Sequence, residues 1–178
     1  MRVYQLSSES DAFRQIAFEN TFIEDLIMND YHSGNDIPEG AQFKWSEDTI
    51  NQPISDCPFI GSIFPIFSNR IINHLISCDL INGIDYRKII VDGEEYYLIR
   101  TTNLLSNIID NKNSKISYFP DGRIMCITKY AFCSEFEFPN WFTVAEFPFY
   151  IFVNEKVKIE LDKINPLGLK MNKCYSRT

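Results

Sequence analysis

Asp110 and Ser114 stand four positions apart in the segment IIDNKNSKISYFPDG (108–122). An acid beside a hydroxyl is part of a nucleophilic relay, but the relay needs a base to take the hydroxyl proton. The chain has two histidines, His32 in the polar stretch NDYHSGND and His74 in an apolar one, and neither lies near this segment. Asp, Asn and Ser side chains also bond to nearby backbone in tight turns. Asp110 and Ser114 therefore read as a structural turn between two strands. His74 and Cys78 are the second pair, also four apart. On a helix they would share a face, which suits a thiol–imidazole nucleophile or half a metal site. No third ligand stands at a recognised spacing, so both read as packed or surface side chains. Cys57 precedes Pro58 in a loop, and Cys126 falls on a strand as a small core residue. Phosphate-loop, dinucleotide, serine-hydrolase and zinc-protease fingerprints are all missing from the sequence. The expectation is no catalytic residue, no cofactor-binding residue and no metal ligand.

The elements that would carry these residues follow from spacing. RVYQL (2–6) alternates as a strand does. Phe13, Ile16, Ala17 and Asn20 fit a helical stripe, although the same stretch also has strand-like pieces. Residues 33–58 are rich in Gly, Pro, Asp and Ser and read as loop with at most short structure, with Trp45 anchoring it on the core. Ser68 is the expected N-cap of a helix whose stripe is Ile71, Ile72, Leu75 and Ile76, with Gly83 as its stop. Asp92-Gly93 and Pro120-Asp121-Gly122 are hairpin turns. One or two strands follow in WFTVAEFPFYIFV. Asn154 caps a last helix, with Val157, Leu161 and Ile164 inward and Pro166 and Gly168 ending it. LGLKMNKC adds an edge strand. The expected fold is a single α+β domain over 1–178, mostly antiparallel sheet with at least two packed helices. Within it, 1–56 forms an acidic, partly irregular subregion and 57–178 carries the sheet and helices.

Charge is the strongest bulk signal. The net charge is −7, and residues 1–56 hold eleven acids against three bases, so that third alone carries −8. Such a field disfavours nucleic acid and attracts basic partners. Five cysteines with no C-x-x-C spacing point to reduced thiols. The opening MRVYQLSSESDAFRQ has no apolar core of a secretory signal, and the most apolar run, FPFYIFV, is too short to span a bilayer. The expected place of action is the cytoplasm.

The order of RVYQL, FPIFSNRIINHL, EEYYLIRTTNLLSNIIDNKNS and FTVAEFPFYIFVNEKVKIELDKINPLGLKM resembles a family of immunity proteins of bacterial polymorphic toxin systems, long catalogued as a domain of unknown function. The shared marks are an S-x-R helix start (Ser68, Arg70), a tyrosine-bearing strand (Tyr96, Tyr97), a D-x-x-x-S turn (Asp110, Ser114) and a closing G-L segment (Leu167-Gly168-Leu169). Leu167 replaces the Thr usual there. The resemblance covers about 1–6 and 65–171 and carries no catalytic residues. It implies a non-enzymatic inhibitor that binds a cognate toxin domain and blocks its active site or a movement it requires. From the charge, the expected contact set is Asp11, Glu19, Glu24, Asp25, Asp30, Asp36, Glu39, Trp45, Glu47 and Asp48, facing a basic toxin such as a nuclease. Two other readings stay open: a small enzyme using Cys57, His74 or scattered carboxylates, and a general protein-interaction module.

Overall fold

A computed structural model of the chain describes residues 2–9, 11–18, 37–60, 64–133, 136–148 and 150–176. Its frame is two mixed sheets with mostly antiparallel pairings. The first runs β2 (Ile16–Phe18), β3 (Ala41–Trp45), β6 (Ile84–Val91), β7 (Glu94–Thr101), β5 (Phe64–Ser68) and β4 (Phe59–Ile60) in spatial order. Only β3 and β6 pair parallel in it. The second runs β14 (Leu169–Lys173), β1 (Val3–Ser8), β13 (Phe152–Asn154), β12 (Trp141–Val144) and β8 (Leu104–Leu105), with β8 parallel to β12. The hairpin β9 (Lys115–Tyr118) and β10 (Ile124–Lys129) and the short parallel pair β11 (Ala131–Phe132) and β15 (Tyr175–Ser176) complete the strands. No helix among the described residues is long and apolar enough to cross a membrane.

Strand alternation sorts the side chains into three apolar layers. On β5, Ile66 faces one layer and the next residue, Phe67, another; on β7, Leu98 and Ile99 divide the same way. On β1, Val3 and Tyr4 part, as do Trp141 and Phe142 on β12. The middle layer holds Leu6, Phe67, Ile99, Trp141 and Val153, and the helices close over it. Helix α1 (Asn69–Ser77) contributes Ile71, Ile72 and Leu75, and helix α2 (Glu155–Ile164) contributes Val157 and Leu161. The third layer is aromatic: Phe132 meets Phe138, Phe142 and Phe152 at centroid distances of 5.2–5.7 Å, all tilted or edge-on.

The α2 expectation holds in detail. The Asn154 side chain accepts from the Lys156 and Val157 amides, and Ile164 packs against the middle layer. Both hairpin turns form, and Asp92 and Gly93 take the positive φ angles (47° and 88°) that a two-residue turn demands. The expected edge strand is β14, at the rim of the second sheet.

Several expectations are narrowed or corrected. Residues 33–58 are not all loop: Ala41–Trp45 is an interior strand of the first sheet, its buried and exposed positions strictly alternating. Gly40 and Pro38 punctuate its start and hide its five-residue alternation. Of the two readings left open for the stretch with Phe13, Ile16 and Ala17, the strand-like one holds at 16–18, which pairs with β3; Asn20 lies outside the described residues. Ser68 precedes α1 but makes no side-chain cap, its hydroxyl being spent on Asp56 (3.0 Å). Finally, α1 stops at Ser77 rather than at Gly83. Asp79 takes the left-handed position (φ 55°), and the Asp79 and Leu80 amides donate to the Ile76 and Leu75 carbonyls, closing the helix end without a glycine. Ile76, expected in the stripe, is left exposed.

Candidate functional sites

The S-x-R and G-L marks, about a hundred residues apart in the chain, meet at one carboxylate. Asp56 Oδ1 accepts from Ser68 Oγ (3.0 Å) and Arg70 Nε (3.2 Å). Its Oδ2 accepts from Arg70 Nη2 (2.5 Å) and the Leu167 amide (2.9 Å). Backbone bonds flank it: the Asp56 amide donates to Leu167 O, and the Ser68 amide donates to Asp56 O. The Arg70 Nη1 donates to Ile164 O at the end of α2 (2.8 Å). Burial pushes the Asp56 carboxyl up, but Arg70, the Leu167 amide and Ser68 together hold it below the usual carboxylate range. Gly168 follows at φ 81°, and a Cβ there would come 2.6 Å from Ser55 Cβ. Every oxygen of Asp56 is occupied in holding β5, α1 and the chain after α2 together, so this knot is a clamp rather than a reacting centre. Cys57, next to it, is fully buried, and that burial pushes its thiol well up, which leaves little nucleophilic thiolate.

Asp110 and Ser114 form the expected turn. The Asp110 carboxylate accepts from the Lys112 and Asn113 amides, and the Ser114 amide donates to Asp110 O. Ser114 Oγ donates to Ala131 O (3.1 Å) and accepts from the Ala131 amide (2.9 Å), tying the turn to β11. Both of its hydrogen-bonding roles are thereby spent on backbone.

His74 and Cys78 acquire an acid. Glu160, on the adjoining turn of α2, brings Oε2 to 3.6 Å from His74 Nε2 and 3.5 Å from Cys78 Sγ, while Sγ and Nε2 are 3.8 Å apart. His74 Nε2 also lies 3.1 Å from Glu160 O. Lys163 Nζ binds the other carboxylate oxygen (2.6 Å) and draws the Glu160 carboxyl below its usual range. A thiol–imidazole–acid relay needs the thiol on one ring nitrogen and the acid on the other. Here Nε2 faces both, so the three do not form a relay. They remain a set of metal-ligating types within 4.8 Å of one another. Sequence reasoning found two of the three. Glu160 sits 82 residues after Cys78, and only the packing of α1 on α2 brings it in.

The acidic set separates into parts. Glu19, Glu24, Asp25, Asp30 and Asp36 lie outside the described residues, as does His32. Residues 11–15 run beside 46–53: Gln52 Nε2 donates to Asp11 O, the Arg14 amide to Pro53 O, and the Ser46 amide to Gln15 O. This brings the exposed Asp11 into the same surface region as the exposed Glu47 and Asp48, on a 3-10 turn. The same loop exposes Ile50 and Ile54. Glu39 stands at the far end of β3, about 17 Å of strand away. Among the described residues none of these four acids has an ion-pair partner, whereas Glu9 pairs with Lys170 and Asp56 with Arg70. Trp45 departs from the expected contact set. It is 6% exposed, edge-on to Tyr96 at 5.8 Å, and belongs to the core. Its role as an anchor on the core, expected from the sequence, is the one it has.

No protein-family model matches the chain, and no curated protein matches it.

Proposed function

We propose that this chain is a non-enzymatic immunity protein that binds a cognate bacterial toxin in the cytoplasm and neutralises it by covering its active site. The observation that carries the reading is the acidic surface of Asp11, Glu47 and Asp48, without ion-pair partners among the described residues, set beside the exposed Ile50 and Ile54. Carboxylates without internal partners are available to the lysines and arginines with which a nuclease holds phosphate. Exposed isoleucines among them supply apolar area that survives salt. Glu19, Glu24, Asp25, Asp30 and Asp36 extend the same negative charge along the chain. The order of the family marks supports the reading too, since Ser68, Arg70, Leu167-Gly168 and the Asp110–Ser114 turn all serve the scaffold that presents this surface.

Electrostatic steering acts mainly on the association rate. The test starts with a toxin-domain gene beside this one, co-expression rescue of the toxin's lethality, and binding kinetics on the purified pair. The triple reversal Asp11→Lys, Glu47→Lys and Asp48→Lys is expected to slow association at low salt about tenfold or more, with parent association falling as salt rises. Ile54→Ala is expected to speed dissociation instead. An association rate indifferent to both salt and charge reversal would remove this surface from the interface. Failure to rescue cells from any adjacent toxin would remove the function.

A further inference from the structure

We propose that His74, Cys78 and Glu160 form a zinc site that ties the C-terminal end of α1 to α2. The case is geometric. Zinc holds thiolate sulfur at about 2.3 Å, imidazole nitrogen at about 2.0–2.1 Å and carboxylate oxygen at about 2.0–2.2 Å. At the tetrahedral angle those bond lengths place the ligand atoms about 3.4–3.6 Å from one another. The three edges here are 3.8 Å (Sγ to Nε2), 3.5 Å (Sγ to Oε2) and 3.6 Å (Nε2 to Oε2). Each lies within about 0.3 Å of the tetrahedral value. The three edges match one face of a zinc tetrahedron, and the His74 ring has only to turn Nε2 from Glu160 O toward its centre.

The chemistry agrees with the geometry. One thiolate and one carboxylate balance the two charges of the ion, and the imidazole adds a neutral donor. His74 and Cys78 sit four apart at a helix end, the spacing that puts two ligands on one face. Lys163 occupies Glu160 Oε1 and leaves Oε2 turned to the other two. On binding, the Cys78 thiol proton leaves to solvent and the ring carries its proton on Nδ1, so that Nε2 offers its lone pair. Nε2 then gives up its contact with Glu160 O, exchanging one hydrogen bond for a metal bond. Among the described residues no fourth His, Cys, Asp or Glu joins the group, so water takes the fourth position. The ligand side chains are part-exposed, His74 and Glu160 at 22% each, which gives the ion a path in.

The three ligands come from two helices that otherwise meet only through apolar side chains and the Arg70 contact on Ile164 O. Zinc would therefore act on the helix pair, not on a substrate. Its ligands are not among the residues of the acidic surface, and the proposal is independent of the toxin-binding reading.

The test uses the full, tag-free chain and cobalt(II) as a spectroscopic stand-in, followed by zinc displacement. One cobalt per chain is expected, with a thiolate-to-metal charge-transfer band and the intense visible bands of four-coordinate cobalt. Cys78→Ser should abolish the charge-transfer band. His74→Ala and Glu160→Gln should weaken binding at least tenfold, and Cys126→Ser and Cys133→Ser should leave it unchanged. Zinc should raise the parent's melting temperature and leave that of Cys78→Ser where it is. If Cys78→Ser does not fold, Glu160→Gln, which keeps the side chain's shape, decides alone. The proposal is overturned if cobalt gives no thiolate band, if the band survives Cys78→Ser, or if it disappears with Cys126→Ser or Cys133→Ser instead.

Discussion

Replacing Asp56 by alanine should cost about 3 kcal/mol of folding stability, more than any other single acid described in the first third of the chain. Four hydrogen bonds end on this carboxylate. The two from Arg70 are bidentate, but the guanidinium is 49% exposed against 16% for the carboxylate, so solvent screens them to about 1 kcal/mol together. The Leu167 amide and the Ser68 hydroxyl are each worth about 1 kcal/mol, and losing the acceptor leaves both without a partner at a packed junction. For a chain of this length 3 kcal/mol lowers the melting temperature by about 6–12 °C. Urea denaturation of parent, Asp56→Ala, Arg70→Ala and the double variant measures the parts; the Asp56–Arg70 coupling should come to about 1 kcal/mol. The pH dependence supplies a second readout. Folding holds this carboxyl below its ordinary 3.8, so the unfolded chain takes up the proton more readily than the folded one. The contribution is then fully present above that unfolded value and is lost as the pH falls through the folded one. Asp56→Asn, which cannot titrate, should lack that part of the acid limb. A loss below about 1 kcal/mol for Asp56→Ala, or the same acid limb in Asp56→Asn and parent, would show that the clamp does not hold the fold.

Gly168→Ala should cost about 3 kcal/mol, since φ is 81° and the new methyl would meet Ser55 Cβ at 2.6 Å; a melt within a degree of the parent's would refute the crowding. Tyr130→Phe should stabilise the chain by about 1 kcal/mol in urea titrations, because the buried Tyr130 hydroxyl has no hydrogen-bond partner among the described residues; a destabilised variant would mean the hydroxyl is satisfied.

The sequence was legible where a local rule had no competitor. Asn154 could be read as a cap because the amides its Oδ1 accepts from lie two and three residues on, in the first turn of α2, and Asp92-Gly93 as a hairpin because that turn leaves few residue choices. The same rules misled where a distant partner intervened. Ser68 has the right type and place for a cap, but Asp56, twelve residues back, takes its hydroxyl. Gly83 looks like a helix stop, but Asp79 supplies the left-handed residue four positions earlier, and Gly83 serves a different close approach, to the Asn103 amide. β3 was hidden because two of its five residues, Gln42 and Lys44, face solvent, and its flanks carry turn residues.

The sites show the same division more sharply. The Asp110 half of the D-x-x-x-S turn closes within five residues and was legible as such, whereas the bonds of Ser114 Oγ to Ala131 come from a segment 17 residues on. A metal triangle or a buried clamp carries its meaning between segments. Asp56 looked like one more acid in an acidic third, yet it is the residue to which Ser68, Arg70 and Leu167 are matched. Glu160 carries no sequence mark at all, yet packing sets it beside the His–Cys pair at near-tetrahedral edges. Both are acids that gained a function when packing supplied cations or soft donors, and net charge cannot distinguish them from Asp11, Glu47 and Asp48. What separates the two groups is whether the chain itself answers the charge. Where it does, the acid serves the scaffold or the proposed metal site; where no described residue does, the charge is what the proposed toxin interface would use.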